Sequence, residues 1–338
     1  ETLAGIMEGT AERLQIGPLD QPPLCGERLQ TTGGHYNYLR IAEGCEKNCT
    51  YCILPQIRGR YRSVPMERLV DEAARLAGEG VTELILVAQE TTLYGVDLYG
   101  HKALPELLHR LAGIEGLRWI RLLYCYPEEI DDALLDAIRT EPKVCHYLDI
   151  PIQSGSDTVL RRMGRRTDSA QIRAVIRHIR ERIPDICIRT TLIAGFPGET
   201  PANQRETLAL VQELRFDRLG VFAYSQEEGT PAAQLEGQCT ELTKARRRGA
   251  LMRAQQEVTF ALNEALVGQT CMAVIEGRLV EPGDVYVART WRDAPDIDGY
   301  LFIEHAPVAL MSGQYVQVRV TAARGYDLVG ELMDEQED

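Results

Sequence analysis

The sequence lacks a membrane-spanning segment and the marks of a secreted protein. No apolar run reaches the roughly 18 residues that a bilayer requires. Residues 1–14 do not show the charged-then-apolar layout of a signal peptide. We therefore expect a cytoplasmic protein with no membrane partner.

An excess of positive charge is also missing. The chain has 37 Lys plus Arg against 50 Asp plus Glu, a net charge of −13. Binding to nucleic acid without help depends on basic side chains that displace counterions from phosphates. The composition therefore argues against stable, unaided nucleic-acid binding and favours a basic partner.

A regular disulfide pattern is absent as well. The nine cysteines are an odd number in a chain without secretory features, which argues against a disulfide framework. Six of them stand alone at irregular spacing: Cys25, Cys125, Cys145, Cys187, Cys239 and Cys271.

What the sequence does contain is an alternation of β-rich and helical patterns over residues 35–264, after a leader or linker remnant at 1–34. Strands that alternate with helices predict a parallel sheet with right-handed crossovers. Six such units predict an α/β fold, a partial (β/α)6 barrel with its chemistry at the carboxyl ends of the strands. The candidate strands are residues 35–41, 83–88, 118–123, 146–150, 186–193 and 218–223.

The sequence pattern changes after a long polar helix that is predicted over residues 241–266. Short alternating runs separated by Gly, Pro and Asp turns predict a small antiparallel β-barrel as a second domain, residues 265–338. Its candidate strands are residues 270–275, 284–289, 300–304, 315–320 and 326–332.

Three clustered cysteines, Cys45, Cys49 and Cys52, follow the first predicted strand. Three thiolates can hold three irons of a four-iron four-sulfur cluster and leave the fourth iron open, whereas a closed cluster takes four. A zinc site and unliganded core cysteines remain alternatives, although no fourth Cys or His lies at zinc-finger spacing.

The CxxxCxxC spacing, with an aromatic residue before the last cysteine, resembles the signature of the radical S-adenosylmethionine (SAM) superfamily. The resemblance implies a partial (β/α) barrel and a cluster whose open iron binds the amino and carboxylate groups of SAM. An electron from a reductant such as flavodoxin or ferredoxin would then break the sulfonium bond and release a 5′-deoxyadenosyl radical. Tyr51 would pack at the adenine.

Other polar residues at predicted strand ends are candidate SAM ligands. Gln89 and Glu90 end the second strand, where the superfamily binds the amino group. Ser156 could bind the ribose or the substrate, or cap a helix. Arg189 could bind the carboxylate or form a structural ion pair. Gly195 permits close approach of the backbone to a ligand.

Further motifs resemble the methylthiotransferases: residues 57–63, the GFPGET run at 195–200, residues 224–225 with 228–231, and a terminal barrel similar to a TRAM domain. Residues 89–97, 124–127 and 292–299 resemble the branch that methylthiolates the β-carbon of an aspartate in ribosomal protein S-twelve. That branch implies a transferase that takes sulfur from a donor and uses SAM both as radical source and as methyl donor.

The alternative within the family is a transfer-RNA adenosine methylthiotransferase. Residues 265–338 hold 13 Asp plus Glu against 5 Arg and no Lys, which should repel RNA and attract a basic ribosomal protein. We interpret the basic clusters at residues 161–162, 165–166 and 244–248 as solvated helix faces. A non-enzymatic ribosome-binding adaptor with a structural metal is a second alternative.

The chain departs from the family at its start. The family carries an amino-terminal domain with three further cysteines for a second cluster, and only Cys25 precedes Gly44 here. We therefore expect one cluster in residues 1–338 and a fragment of a longer protein.

Overall fold

A computed structural model of the chain describes residues 34–279 and 285–333. The leader predicted over residues 1–34, including Cys25, lies outside the described residues apart from Gly34. Within the described part of the chain, no helix is both long enough and apolar enough to cross a membrane.

The large domain is built on a six-stranded sheet in the order β1-β4-β5-β6-β7-β8. Every neighbouring pair of these strands is parallel, which confirms the predicted partial (β/α)6 barrel. A short antiparallel ribbon, β2 (Ala42–Glu43) with β3 (Arg62–Ser63), follows the first strand. The sheet strands are β1 (Tyr36–Arg40), β4 (Glu83–Val87), β5 (Trp119–Leu122), β6 (Val144–Asp149), β7 (Cys187–Ala194) and β8 (Arg218–Ala223).

Amphipathic helices cover the outer face of this sheet. The helix α2 buries Met66, Leu69, Ala73 and Leu76, three to four residues apart, as one apolar stripe. Both α7 and α8 begin with a capping box, which fixes their first turns. The helices are α1 (Leu54–Arg58), α2 (Met66–Gly78), α3 (Val96–Tyr99), α4 (Leu104–Ala112), α5 (Asp132–Thr140), α6 (Asp157–Arg162), α7 (Ser169–Arg182), α8 (Pro201–Leu214) and α9 (Glu241–Glu264).

The second domain is a closed five-stranded barrel in the order β10-β11-β13-β12-β9. Four of its strand pairs are antiparallel, as predicted, but β11 and β13 are parallel. The strand between them in sequence, β12, pairs with β9 to close the barrel, so β13 returns in the direction of β11. The strands are β9 (Thr270–Arg278), β10 (Val285–Thr290), β11 (Leu301–Glu304), β12 (Tyr315–Arg324) and β13 (Asp327–Leu332).

One loop of the small barrel, residues 291–299, binds both unpaired edges of the six-stranded sheet. The Tyr36 hydroxyl on β1 donates to Asp296 at 2.8 Å, and Arg218 on β8 donates to Asp293 at 2.6 Å. These contacts lie near the amino ends of the strands. The loop therefore closes that end of the partial barrel and leaves the carboxyl ends for chemistry.

A buried ion network holds the two domains together. Glu83 on β4 is paired with Arg121 on β5 at 2.8 Å and with Arg289 on β10 at 2.7 Å. All three side chains are at most 1% exposed. Buried charges are tolerated only when they are paired, so these residues must meet for the domains to pack.

We expect Arg289→Ala to lower the free energy of unfolding by about 3 to 5 kcal/mol, because it leaves a buried carboxylate without one of its cations. The measurement is urea unfolding followed by circular dichroism. Arg319→Ala, which removes an exposed arginine from the same barrel, is the control and should change stability by less than about 0.5 kcal/mol. Equal effects of the two variants would contradict this account of the interface.

Candidate functional site

The cysteine loop, residues 44–52, lies just beyond β1 and β2 at the open end of the barrel. Gly44 has φ +87°, and a Cβ there would lie 1.9 Å from the Arg60 carbonyl oxygen, so the position requires glycine. The backbone amide of Gly44 donates to Gln89 Oε1 at 2.6 Å, and that of Thr50 donates to the Met163 carbonyl at 2.9 Å. The loop is thereby fixed at both ends.

The three thiols of this loop are unpaired and largely enclosed. Cys45 and Cys49 are buried and Cys52 is half-buried. Burial raises the pKa of Cys45 to about 11 and also raises the pKa of Cys52. Thiols of this kind become thiolates when they bind a metal cation.

The donor set that the sequence predicts for a cluster is the three thiols of this loop. Within the described residues, no three His, Cys, Asp or Glu side chains are placed to share one metal ion. In a four-iron four-sulfur cluster each cysteine binds a different iron, so its thiolates lie farther apart than the ligands of one ion. The assignment of one iron to each of the three thiols stays a prediction.

Glu90 is a buried carboxylate beside this loop. One oxygen accepts from the backbone amide of Thr92 at 3.0 Å and from its hydroxyl. The other, Oε2, has no hydrogen-bond partner among the described residues and lies 4.0 Å from the Lys47 ammonium. Burial raises the pKa of Glu90 to about 7. An enclosed oxygen with free lone pairs suits an ammonium group, so Glu90 stays the predicted partner of the SAM amino group.

Gln89 and Tyr51, two other predicted SAM ligands, have defined surroundings. The Gln89 amide oxygen is used by Gly44, so this residue orients the cysteine loop. The Tyr51 ring meets Phe196 edge to face, with centroids 6.4 Å apart, and Phe196 meets Tyr224 in the same way at 5.3 Å. This aromatic wall borders the last cysteine, so packing of Tyr51 at the adenine stays a prediction.

The remaining predicted ligands already have protein partners. Ser156 is buried, accepts from Asn203 Nδ2 at 3.0 Å and makes no capping hydrogen bond to α6. Arg189 is paired with Asp149 at 3.0 Å and with Asp298 of the small barrel at 3.5 Å. Arg189 therefore forms structural ion pairs, which was the alternative expected for it. Binding of SAM by Ser156 or Arg189 stays a prediction.

Gly195 is close-packed against the protein itself. A Cβ at Gly195, whose φ is +76°, would lie 2.5 Å from Lys244 Cγ on α9. Its backbone amide donates to Glu199 at 2.6 Å. The absence of a side chain at Gly195 therefore lets helix α9 pack closely against it. A contact of Gly195 with SAM stays a prediction.

Two basic residues interpreted as solvated are buried, so that interpretation is wrong for them. Arg165 is 7% exposed and Lys244 is 6% exposed. The chain turns at Gly164, φ +70°, directly after α6, and this turn directs Arg165 inward. Its guanidinium lies 4.4 Å from the ring centroid of Tyr126, and the Lys244 ammonium lies 5.4 Å from that of Tyr224. No helical or β periodicity covers residue 165, so no sequence pattern distinguished it from Arg166.

Comparison with known proteins agrees with this geometry. The model of the radical SAM superfamily matches residues 39–211, and that of the TRAM domain matches residues 267–333. The chain is 56% identical over 303 residues to "Ribosomal protein uS12 methylthiotransferase RimO" of Lachnoclostridium phytofermentans, covering 90% of this chain and 68% of that protein. The chain belongs to the RimO family of radical SAM methylthiotransferases.

Other members of the RimO family give the same picture. Proteins of that name from Trichlorobacter lovleyi and Acetivibrio thermocellus are 49% and 48% identical over 310 and 312 residues. They cover 91% and 92% of this chain, which spans 68% of each of them. Membership confirms the predicted class of enzyme and implies a four-iron four-sulfur cluster and SAM as cofactors.

We expect Ala at Cys45, Cys49 or Cys52 to abolish cluster binding and 5′-deoxyadenosine formation, because each thiolate holds a different iron. The measurements are iron and sulfide content after anaerobic reconstitution, and chromatography of the SAM cleavage products. Cys125→Ser, at a buried singleton cysteine, is the control and should keep its iron even if stability falls. Undiminished SAM cleavage by any one of the three Ala variants would refute the ligand assignment.

Proposed function

We propose that this chain carries the radical SAM chemistry by which its family methylthiolates the β-carbon of an aspartate in ribosomal protein uS12, with SAM both as radical source and as methyl donor. The observation that carries the proposal is its similarity, at 48% to 56% identity over about nine tenths of the chain, to three proteins named for uS12 methylthiotransfer. The cysteine loop at the open end of the barrel supports the same chemistry.

Each residue near the loop has a role in this proposal. The cluster held by Cys45, Cys49 and Cys52, when bound, supplies the electron that cleaves SAM. Glu90 Oε2 binds the SAM amino group, because it is an enclosed acceptor to which no described residue donates a hydrogen bond. Tyr51 packs against the adenine beside the Phe196 ring.

The partial barrel protects the radical. The loop over residues 291–299 closes the barrel at the amino ends of its strands, and the aromatic wall flanks the last cysteine. Exclusion of water prevents side reactions of an intermediate, and fixed positions hold the reacting atoms close together. Flavodoxin or ferredoxin is the proposed reductant, and the sulfur comes from a separate donor.

The small barrel exposes less negative charge than its composition suggests, so its charge is weaker support for a basic protein substrate. Several of its charged residues bind the large domain, so they do not contribute to a docking surface. Away from that interface, the described residues carry three acidic side chains and three arginines. The charges at the interface are Glu276, Asp293, Asp296, Asp298, Arg289 and Arg292.

The preference for protein over RNA therefore rests on the relatives and on the net charge of −13. A chain of this charge should bind a Lys- and Arg-rich ribosomal protein more readily than free transfer RNA. Substantial binding of transfer RNA at physiological salt would favour the transfer-RNA enzyme instead.

We expect this chain joined to a three-cysteine domain of the family, incubated anaerobically with dithionite, sulfide, uS12 and SAM carrying a trideuterated methyl group, to add one deuterated methylthio group to uS12. The measurement is mass spectrometry of the substrate peptide, with transfer RNA in a parallel reaction. Modified RNA with unmodified uS12 would overturn the proposed substrate. An undeuterated product would overturn the role of SAM as methyl donor.

We also expect residues 1–338 alone to bind one cluster and form 5′-deoxyadenosine, yet to insert no sulfur. In the family a second cluster is thought to hold sulfur near the substrate, and proximity of the reacting groups is required. The test compares this chain with a version joined to a three-cysteine domain, measuring iron, 5′-deoxyadenosine and methylthio product. Equal product from both versions would show that the second cluster is dispensable.

A further inference from the structure

Arg165 is a buried cation with unused hydrogen-bond donors. It is 7% exposed, and its Nε and Nη1 atoms have no hydrogen-bond partner among the described residues. Its Nη2 atom donates to the carbonyl of Pro151 at 3.0 Å. A buried guanidinium that is bonded only to one neutral carbonyl is costly unless a negative group completes it.

The ring of Tyr126 places this guanidinium beside Cys49. Arg165 lies over the ring at 4.4 Å from the centroid, and the Tyr126 hydroxyl lies 3.9 Å from Cys49 Sγ. Lys47 also approaches the Tyr126 ring, at 5.1 Å, but its ammonium is already paired with Glu128 and Glu129. Of the two described cations over the Tyr126 ring, Arg165 is therefore the one whose donors remain available.

A thiolate-ligated cluster provides the missing negative charge, because three thiolates outweigh the 2+ charge of its oxidised iron–sulfur core. Hydrogen bonds to the sulfurs and nearby charge are the main protein influences on the potential of such a cluster. Reduction adds a further negative charge, so a fixed cation stabilises the reduced form more than the oxidised form.

We propose that Arg165, supported by the Tyr126 ring, directs its free N–H groups toward the Cys49 side of the cysteine loop and would raise the reduction potential of a cluster bound there. The Tyr126 hydroxyl would donate to the Cys49 thiolate of that cluster, because a thiolate has no proton to donate. The proposal rests on the proposed function, since it requires the cluster that the three cysteines hold. Both residues are positioning residues that act through the cluster and not on the substrate.

The test is a redox titration of the reconstituted chain, followed by electron paramagnetic resonance in the absence of SAM. Arg165→Gln and Tyr126→Phe should each shift the midpoint to a more negative potential at unchanged iron content, and Arg165→Lys should shift it less than Arg165→Gln. At a fixed, weak reductant, the rate of 5′-deoxyadenosine formation should fall in the same order.

Two variants are matched controls. Arg161→Gln removes an exposed charge from the end of α6, four residues away, and Tyr315→Phe removes a buried hydroxyl at the domain interface. Both should leave the midpoint unchanged, because the exposed charge is screened by water and the hydroxyl is remote from the cysteine loop. Equal shifts in the controls and in the Arg165 and Tyr126 variants would overturn the proposal.

Titration of each variant with SAM distinguishes the two anions that Arg165 can bind, which are the cluster and the SAM carboxylate. Weaker SAM binding by Arg165→Gln at an unchanged midpoint would assign the guanidinium to the SAM carboxylate and overturn the proposal. A wild-type chain that takes up no cluster would refute the proposed function and this proposal together. A cluster whose midpoint is insensitive to both Arg165→Gln and Tyr126→Phe refutes this proposal alone. Arg165→Lys keeps the buried charge, so its potential remains measurable if Arg165→Gln does not fold.

Discussion

The ion network of Glu83, Arg121 and Arg289 is the constraint on which the arrangement of the two domains depends. The carboxylate lies on a strand of the partial barrel and one of its two cations lies on the small barrel, so the network joins the two domains. Arg121 also donates to the Trp291 carbonyl at 2.7 Å and lies 4.7 Å from the centre of the Tyr147 ring. Removal of one partner from such a network leaves a buried charge uncompensated, which ties the packing of the two domains to these residues.

A second set of paired charges extends from the closed, amino-terminal end of the barrel toward its open end. Asp298 of the small barrel is paired with Arg189, Arg189 with Asp149, and Asp149 accepts the backbone amide of Tyr124 at 3.1 Å. Tyr124 has φ +60°, a conformation that L side chains rarely adopt, and its side chain is 47% exposed at the open end. A chain of direct contacts thus links the position of the small barrel to the backbone conformation of Tyr124 at the open end of the large barrel.

Two buried groups of opposite charge flank the cysteine loop. In the part of the chain that the structure describes, one carboxylate oxygen of Glu90 and two guanidinium nitrogens of Arg165 have no hydrogen-bond partner. Each costs desolvation energy in the protein alone, which is the kind of strain that functional sites retain because a ligand relieves it. A carboxylate suits the amino group of a zwitterionic cofactor, and a cation suits a negatively charged cluster.

The sequence by itself determined the parallel sheet, the long helices, the small barrel and the three cysteines, because periodicity and short spacings are local properties of the chain. It did not determine the partners of Arg189, the burial of Arg165 or the parallel pairing of β11 with β13. Those depend on contacts between distant residues, such as Arg189 with Asp298 and Arg165 with Tyr126. The exposed charge of the small barrel was likewise decided by the tertiary structure, because side chains that are paired across an interface no longer contribute to a surface.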